Sequence, residues 1–169
     1  MSTINCKGTL INLSTPKVMG IINVTPDSFF DGGKLTDADA VVFQVEKMLQ
    51  EGATFIDLGG YSSKPGAEFV TETEELNRVI PVVKLLVEKF PHILISIDTF
   101  RSEVAKQAIE NGAALINDIS AGLLDENMLE TVAKLQVPYI IMHMKGTPKT
   151  MQSLANYDDL LKEMNFYFS

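Results

Sequence analysis

The segment Asn23-Val24-Thr25-Pro26-Asp27-Ser28-Phe29-Phe30-Asp31-Gly32-Gly33 runs from an apolar stretch, Met19-Gly20-Ile21-Ile22, into a polar loop. Pro26 cannot extend a hydrogen-bond ladder, and Gly32-Gly33 lets the backbone bend, so the apolar stretch must end by presenting side chains. Asn23 offers a hard, neutral amide oxygen of the kind that can ligate a hard cation. An asparagine here can equally cap or turn the loop. A second loop, Ser62-Ser63-Lys64-Pro65-Gly66-Ala67, sets a hydroxyl, a cation, a rigid proline and a glycine in sequence, the makings of a wall with an anion handle. Asp57, Asp98, Asn117 and His143 likewise follow apolar runs. No Ser-His-Asp set and no evident carboxylate pair is present. His143 reads as a core histidine more readily than as a catalyst, and Asp98 has a structural alternative in a helix cap or an ion pair with Arg101.

These side chains need a scaffold, and the runs that precede them supply it. Phe55-Ile56, Leu94-Ile95-Ser96-Ile97, Leu115-Ile116 and Tyr139-Ile140-Ile141-Met142 are continuously apolar, as expected of strands covered on both faces. Between them lie stripes of helical spacing: Val41, Val45, Met48, Leu49; then Leu76, Val79, Ile80, Val83, Val87; then Val104, Ala105, Ala108, Ile109; then Met128, Leu129, Val132, Leu135. Thr71 with Glu74 fits a capping box, Gly52 and Gly112 fit helix ends, and Pro81 predicts a kink or a split in the second helix. Ile4 to Leu13 reads as a small hairpin.

Repeated strand-helix units imply a mainly parallel sheet with right-handed crossovers. Polar residues at every strand end favour a (β/α)8 barrel of the TIM type over an open sheet with one crevice, and no Gly-x-Gly-x-x-Gly or Walker-type loop is present. A complete barrel takes about 250 residues. The 169 residues here supply about five βα units, the last helix spanning Asp158 to Phe168, so the expectation is one domain over 1–169 forming an incomplete barrel with open first and fifth strand edges.

A net charge of −8 and the absence of a basic run argue against a nucleic-acid partner. Without an apolar stretch of membrane-spanning length or a charged-then-apolar leader at Met1 to Leu10, the expectation is a cytoplasmic protein with no membrane partner. The single Cys6 excludes an internal disulfide.

Asn23-Val24-Thr25-Pro26-Asp27-Ser28-Phe29, Gly59-Gly60-Tyr61-Ser62-Ser63-Lys64-Pro65-Gly66-Ala67, Ile97-Asp98-Thr99, Ile116-Asn117-Asp118 and Met142-His143-Met144-Lys145-Gly146 together resemble bacterial dihydropteroate synthases in order and spacing. The resemblance covers essentially the whole chain and corresponds to the N-terminal five-eighths of the barrel. It implies a folate-pathway transferase that joins (7,8-dihydropterin-6-yl)methyl diphosphate to 4-aminobenzoate and releases pyrophosphate, by a dissociative route that needs little acid-base machinery. It further implies Asn23 as the Mg²⁺ position, Asp98 and Asn117 as pterin contacts, and Ser63 and Lys64 as diphosphate contacts. Ser28, Phe29, Pro65 and Gly66 are left to shape the 4-aminobenzoate pocket. The family commonly has threonine and arginine where Ser63 and Lys64 stand, and an acidic residue where Tyr61 stands. Lysine lacks the planar fork of arginine, so its geometry at the diphosphate differs.

The resemblance also implies later strands that supply further pterin and diphosphate contacts, so the 169-residue chain alone is expected to be poorly active. A homodimer is possible. Two other readings stay open: a non-catalytic pterin-binding fragment, and the pterin-binding domain of a corrinoid-dependent methyltransferase.

Overall fold

The computed structural model describes residues 2–24, 30–31, 34–35, 38–61 and 69–169. An antiparallel hairpin, β1 (Thr3–Cys6) and β2 (Thr9–Asn12), opens the chain as expected. Its turn places Lys7 and Gly8 at φ of 53° and 80°, and glycine takes the second of these without a steric cost. There follow β3 (Val18–Asn23), a two-residue hairpin of β4 (Phe30–Asp31) and β5 (Lys34–Leu35), and α1 (Ala38–Gln50). The units β6 (Ala53–Gly59) with α2 (Glu72–Lys89), β7 (Ile95–Asp98) with α3 (Ser102–Glu110), and β8 (Leu115–Asp118) with α4 (Met128–Leu135) come next. The chain closes on β9 (Tyr139–Ile141) and α5 (Leu160–Tyr167).

The central sheet has the order β3-β6-β7-β8-β9, every pair parallel. Each new strand adds on the same side of the last. A doubly wound sheet would reverse direction at a switch point, so this unbroken succession is the winding of a barrel. β3 and β9 each have one strand neighbour among the described residues, which leaves the barrel incomplete.

Register decides which side chains face which way. Ile22, Leu58, Ile97 and Ile116 share one row and face the helices, where Val41, Val45, Val79, Val83, Leu86, Val104, Ala108 and Val132 complete the main core. Residues one position to either side along each strand face the opposite, inner side. That alternation sets the site.

Pro81 does not split α2, which is one continuous helix from Glu72 to Lys89. Val79, Val82, Val83 and Leu86 are fully buried on either side of it. The donor it lacks would have served the carbonyl of Asn77, an exposed residue. The Thr71 hydroxyl accepts from the Glu74 amide at 3.2 Å, as a capping box requires, but the Glu74 carboxylate pairs with Arg78 instead of turning back to the cap.

Candidate functional site

Asn23, Gly59, Asp98 and Asn117 are register partners in succession across β3, β6, β7 and β8, so they form one row at the C-terminal edge of the inner face. The backbone continues this order past the strands, with Val24 N–H donating to Gly59 O at 2.8 Å and Thr99 N–H to Asn117 O at 3.0 Å. Gly59 is the member without a side chain. A Cβ placed on it would lie 3.4 Å from Asp98 Oδ2 and 3.8 Å from Asn23 Oδ1, so the carboxylate and the amide oxygen share the space that glycine leaves.

One layer below on the same face lie Ile21, Asp57, Ser96 and Leu115. Asp57 is 5% exposed, and its Oδ2 accepts from Asn117 Nδ2 at 3.1 Å. Among the described residues its Oδ1 has no hydrogen-bond partner, nor has the buried Ser96 hydroxyl. Burial raises the Asp57 pKa, and the neighbouring Ser96 hydroxyl and Asn117 amide oppose the rise. The hydroxyl acts there through proximity, since it does not reach hydrogen-bond geometry.

Asp98 lies half-buried at the end of its strand, and its pKa is pushed up to about 7, first by burial and then by the charges of Asp57, Glu75 and Asp118. Arg101 does not relieve it. That guanidinium pairs with Glu75, so the ion pair offered by the sequence as an alternative use of Asp98 does not form. Asp118 is a structural residue. Its carboxylate accepts from Ser120 N–H and Oγ–H, from Gly122 N–H and from Tyr139 O–H, which organises the turn after β8.

The second loop leaves β6 through Gly60 and Tyr61 and returns through Phe69 and Val70, and both ends are held. Arg78 Nη1 donates to Gly60 O at 3.1 Å, and Arg101 Nη2 donates to Val70 O at 2.6 Å. The Arg101 guanidinium also lies 5.4 Å from the Tyr61 ring centroid and 5.1 Å from that of Phe100, and the two rings meet edge to face at 5.3 Å. Tyr61 braces this end of the loop through its ring. Ser28, Phe29, Ser63, Lys64, Pro65 and Gly66 lie outside the described residues.

His143 is not a core strand residue: β9 ends at Ile141, and the imidazole packs at the rim against Tyr167, its ring edge to face at 4.8 Å. A cavity of about 730 Å³ beside it is lined by His143 to Gly146 and by α5 with the residues before it, and none of the row residues reaches it.

Sequence reasoning thus selected Asn23, Asp98 and Asn117, which the sheet brings together, and left Asp57 unassigned. The available signal was a carboxylate inside the otherwise uncharged run Ala53 to Gly59, two positions before the row. The acceptor-rich row suits a flat ligand with several N–H donors, and Asn23 Oδ1 beside Asp98 Oδ2 suits a hard cation. Among the described residues no group of three or more His, Cys, Asp or Glu side chains could hold a metal by itself. That is compatible with Mg²⁺ bound largely through phosphate and water.

Residues 19–169 match the family model described as pterin binding enzyme. The chain is 48% identical over 154 residues to the dihydropteroate synthase of Haemophilus influenzae, covering 91% of this chain and 55% of that one. The Yersinia pestis dihydropteroate synthase, solved with a sulfonamide drug, superposes with a TM-score of 0.87 at 44% identity, covering 99% of this chain and 60% of that one. The Xanthomonas albilineans dihydropteroate synthase with 4-aminobenzoic acid gives a TM-score of 0.81 at 41% identity, covering 98% and 58%. The chain spans between one fifth and about half the length of the curated relatives it matches.

Proposed function

The chain belongs to the pterin binding enzyme family, and from that premise we propose that it acts as a dihydropteroate synthase, joining (7,8-dihydropterin-6-yl)methyl diphosphate to 4-aminobenzoate with release of pyrophosphate. The observation that carries this reading is the row Asn23, Gly59, Asp98, Asn117 on one face of the sheet. A pterin presents an exocyclic amino group and a ring N–H beside acceptors, and a carboxylate with an amide at the edge of an apolar sheet meets that pattern directionally.

In this reading Asp98 binds the pterin as the carboxylate. A ligand that donates N–H groups to it stabilises the ionised form against the burial and the neighbouring charges that raise its pKa. Asn23, 3.8 Å from the Gly59 Cβ position that Asp98 also approaches, would hold Mg²⁺. When bound, the ion would neutralise charge on the departing diphosphate. Ser63 and Lys64 would supply the hydroxyl and the cation for the same phosphates, on a loop whose two ends Arg78 and Arg101 fix. Ser28, Phe29, Pro65 and Gly66 would wall the 4-aminobenzoate ring, which seeks apolar contact.

The reaction breaks a carbon-oxygen bond to the diphosphate and forms a carbon-nitrogen bond to the arylamine. Placing the two partners and stabilising the leaving charge is the work required of the protein. Pyrophosphate release that requires 4-aminobenzoate and Mg²⁺, measured on protein carrying this chain and abolished by Asp98→Ala, is the expected result. Pterin binding without any 4-aminobenzoate-dependent release would favour a non-catalytic binding role and overturn the proposal.

A further inference from the structure

We infer that Asp57 is a positioning residue that fixes which way the Asn117 amide faces, and so sets the hydrogen-bond pattern that the site offers to a ligand. Asn117 stands in the ligand-facing row, half-buried, while Asp57 lies one layer beneath it and is 5% exposed. The Asn117 Nδ2 group donates to Asp57 Oδ2 at 3.1 Å. Turning the amide over would set two oxygens at that same separation, a buried carboxylate against a carbonyl with no proton between them. An aspartate in that place therefore selects one amide orientation, and an asparagine would not, since its own amide can donate or accept.

With one N–H committed downward, Asn117 keeps its carbonyl oxygen and its second N–H for the ligand. Beside the Asp98 carboxylate the row then offers acceptors with one donor in a fixed order. It favours a heterocycle edge bearing an exocyclic amino group next to a ring N–H over an analogue that lacks the amino group. Among the described residues Asp57 Oδ1 has no hydrogen-bond partner, and the hydrogen bond that Asp57 Oδ2 accepts comes from the row above. A carboxylate buried in that state stabilises the fold poorly, since burying polar oxygen without a partner costs free energy.

This inference rests on the pterin reading for the ligand but not for the Asp57 to Asn117 contact, and the two are separable. The ¹⁵N-labelled chain is compared with its Asp57→Asn variant. The first readout is the pair of Asn117 side-chain N–H resonances. The second is calorimetric affinity for 6-hydroxymethyl-7,8-dihydropterin and for its 2-deamino analogue. The expected result is well-separated Asn117 protons in the parent that draw together in Asp57→Asn, with the preference for the 2-amino ligand falling at least tenfold while the thermal midpoint is kept. Unchanged Asn117 resonances, or changed resonances with an unchanged ligand preference, would overturn the inference. A parent that binds neither pterin contradicts the pterin reading, and the Asn117 resonances then decide the contact alone. Should Asp57→Asn not fold, Asp57→Ser is read in the same way, its hydroxyl being able to accept from or donate to the amide.

Discussion

Glu75, fully buried in the first turns of α2, accepts from Arg101 at the start of α3, and its other oxygen accepts from the Thr99 hydroxyl at 2.7 Å. The same Arg101 holds Val70 O, while Arg78 from α2 holds Gly60 O. Two arginines, Arg101 paired with Glu75 and Arg78 paired with Glu74, thus anchor the two ends of the second loop. Removing one member of a buried ion pair strands the other charge, which costs about 3 to 5 kcal/mol. Glu75→Ala should therefore lower stability in urea unfolding by that amount and Glu75→Gln by less, because the glutamine oxygen still accepts from Arg101 while its N–H can donate to the Thr99 hydroxyl. A loss under about 1 kcal/mol for Glu75→Ala would show that the pair is not the anchor described.

Gly59→Ala separates packing from ligand space. The added methyl would meet Asp98 Oδ2 at 3.4 Å and Asn23 Oδ1 at 3.8 Å, contacts that a neighbour can absorb. The variant should fold with a stability change under about 1 kcal/mol, yet bind pterin and Mg²⁺ at least about tenfold more weakly, some 1.4 kcal/mol, since it fills the space between the two oxygens. Calorimetry on the folded variant checks this.

Gly60→Ala should behave in the opposite way. Its Cβ would stand 2.7 Å from Val79 Cγ2 and 3.2 Å from Glu75 Cγ, at the seat of α2 on the sheet. Overpacking of this kind costs about 1 to 3 kcal/mol, to be seen as a lower unfolding midpoint.

Much of this was legible in the sequence because strand ends announce themselves: an apolar run that stops on Asn23, Asp98 or Asn117 marks the place where a covered strand meets an open, polar edge. Which of these residues share a face was not legible. Facing depends on register, and a slip of one residue in β6 would have turned Asp57 away from the inner face and from Asn117. The pairing of Asp57 with Asn117 joins residues 60 apart in the chain, and Arg101 offered Asp98 as a nearer partner than Glu75. Proximity in sequence misled there because the loop after β7 carries Arg101 toward α2. Pro81 misled as to a split helix for a different reason: four fully buried neighbours in its helix outweigh one lost donor.

The raised pKa of Asp98 ties stability and binding to pH with opposite signs. In the fold the carboxyl titrates near 7 and in the unfolded chain near its ordinary 3.8, so between those values the folded state holds the proton more tightly. Stability contributed by Asp98 is full below the unfolded value and lost as pH rises through 7, by at most about 1.4 kcal/mol per pH unit in that window. Asp98→Asn should flatten this part of the stability profile and unfold later than the parent at pH 8. Affinity for a ligand that donates to the carboxylate should instead rise with pH through about 7 and level above it. Parallel pH profiles of urea unfolding and of calorimetric binding, which should diverge, check both.

Calorimetric titration of the chain with 6-hydroxymethyl-7,8-dihydropterin diphosphate and Mg²⁺ asks whether Asn23, Asp98 and Asn117 line one pterin site, as proposed. Saturable one-site binding is expected, weakened at least about tenfold, or 1.4 kcal/mol, by Asp98→Asn and by Asn117→Ala, with Asn23→Ala removing only the Mg²⁺-dependent part. Binding that persists undiminished in both Asp98→Asn and Asn117→Ala, or no binding to the parent at all, would contradict it.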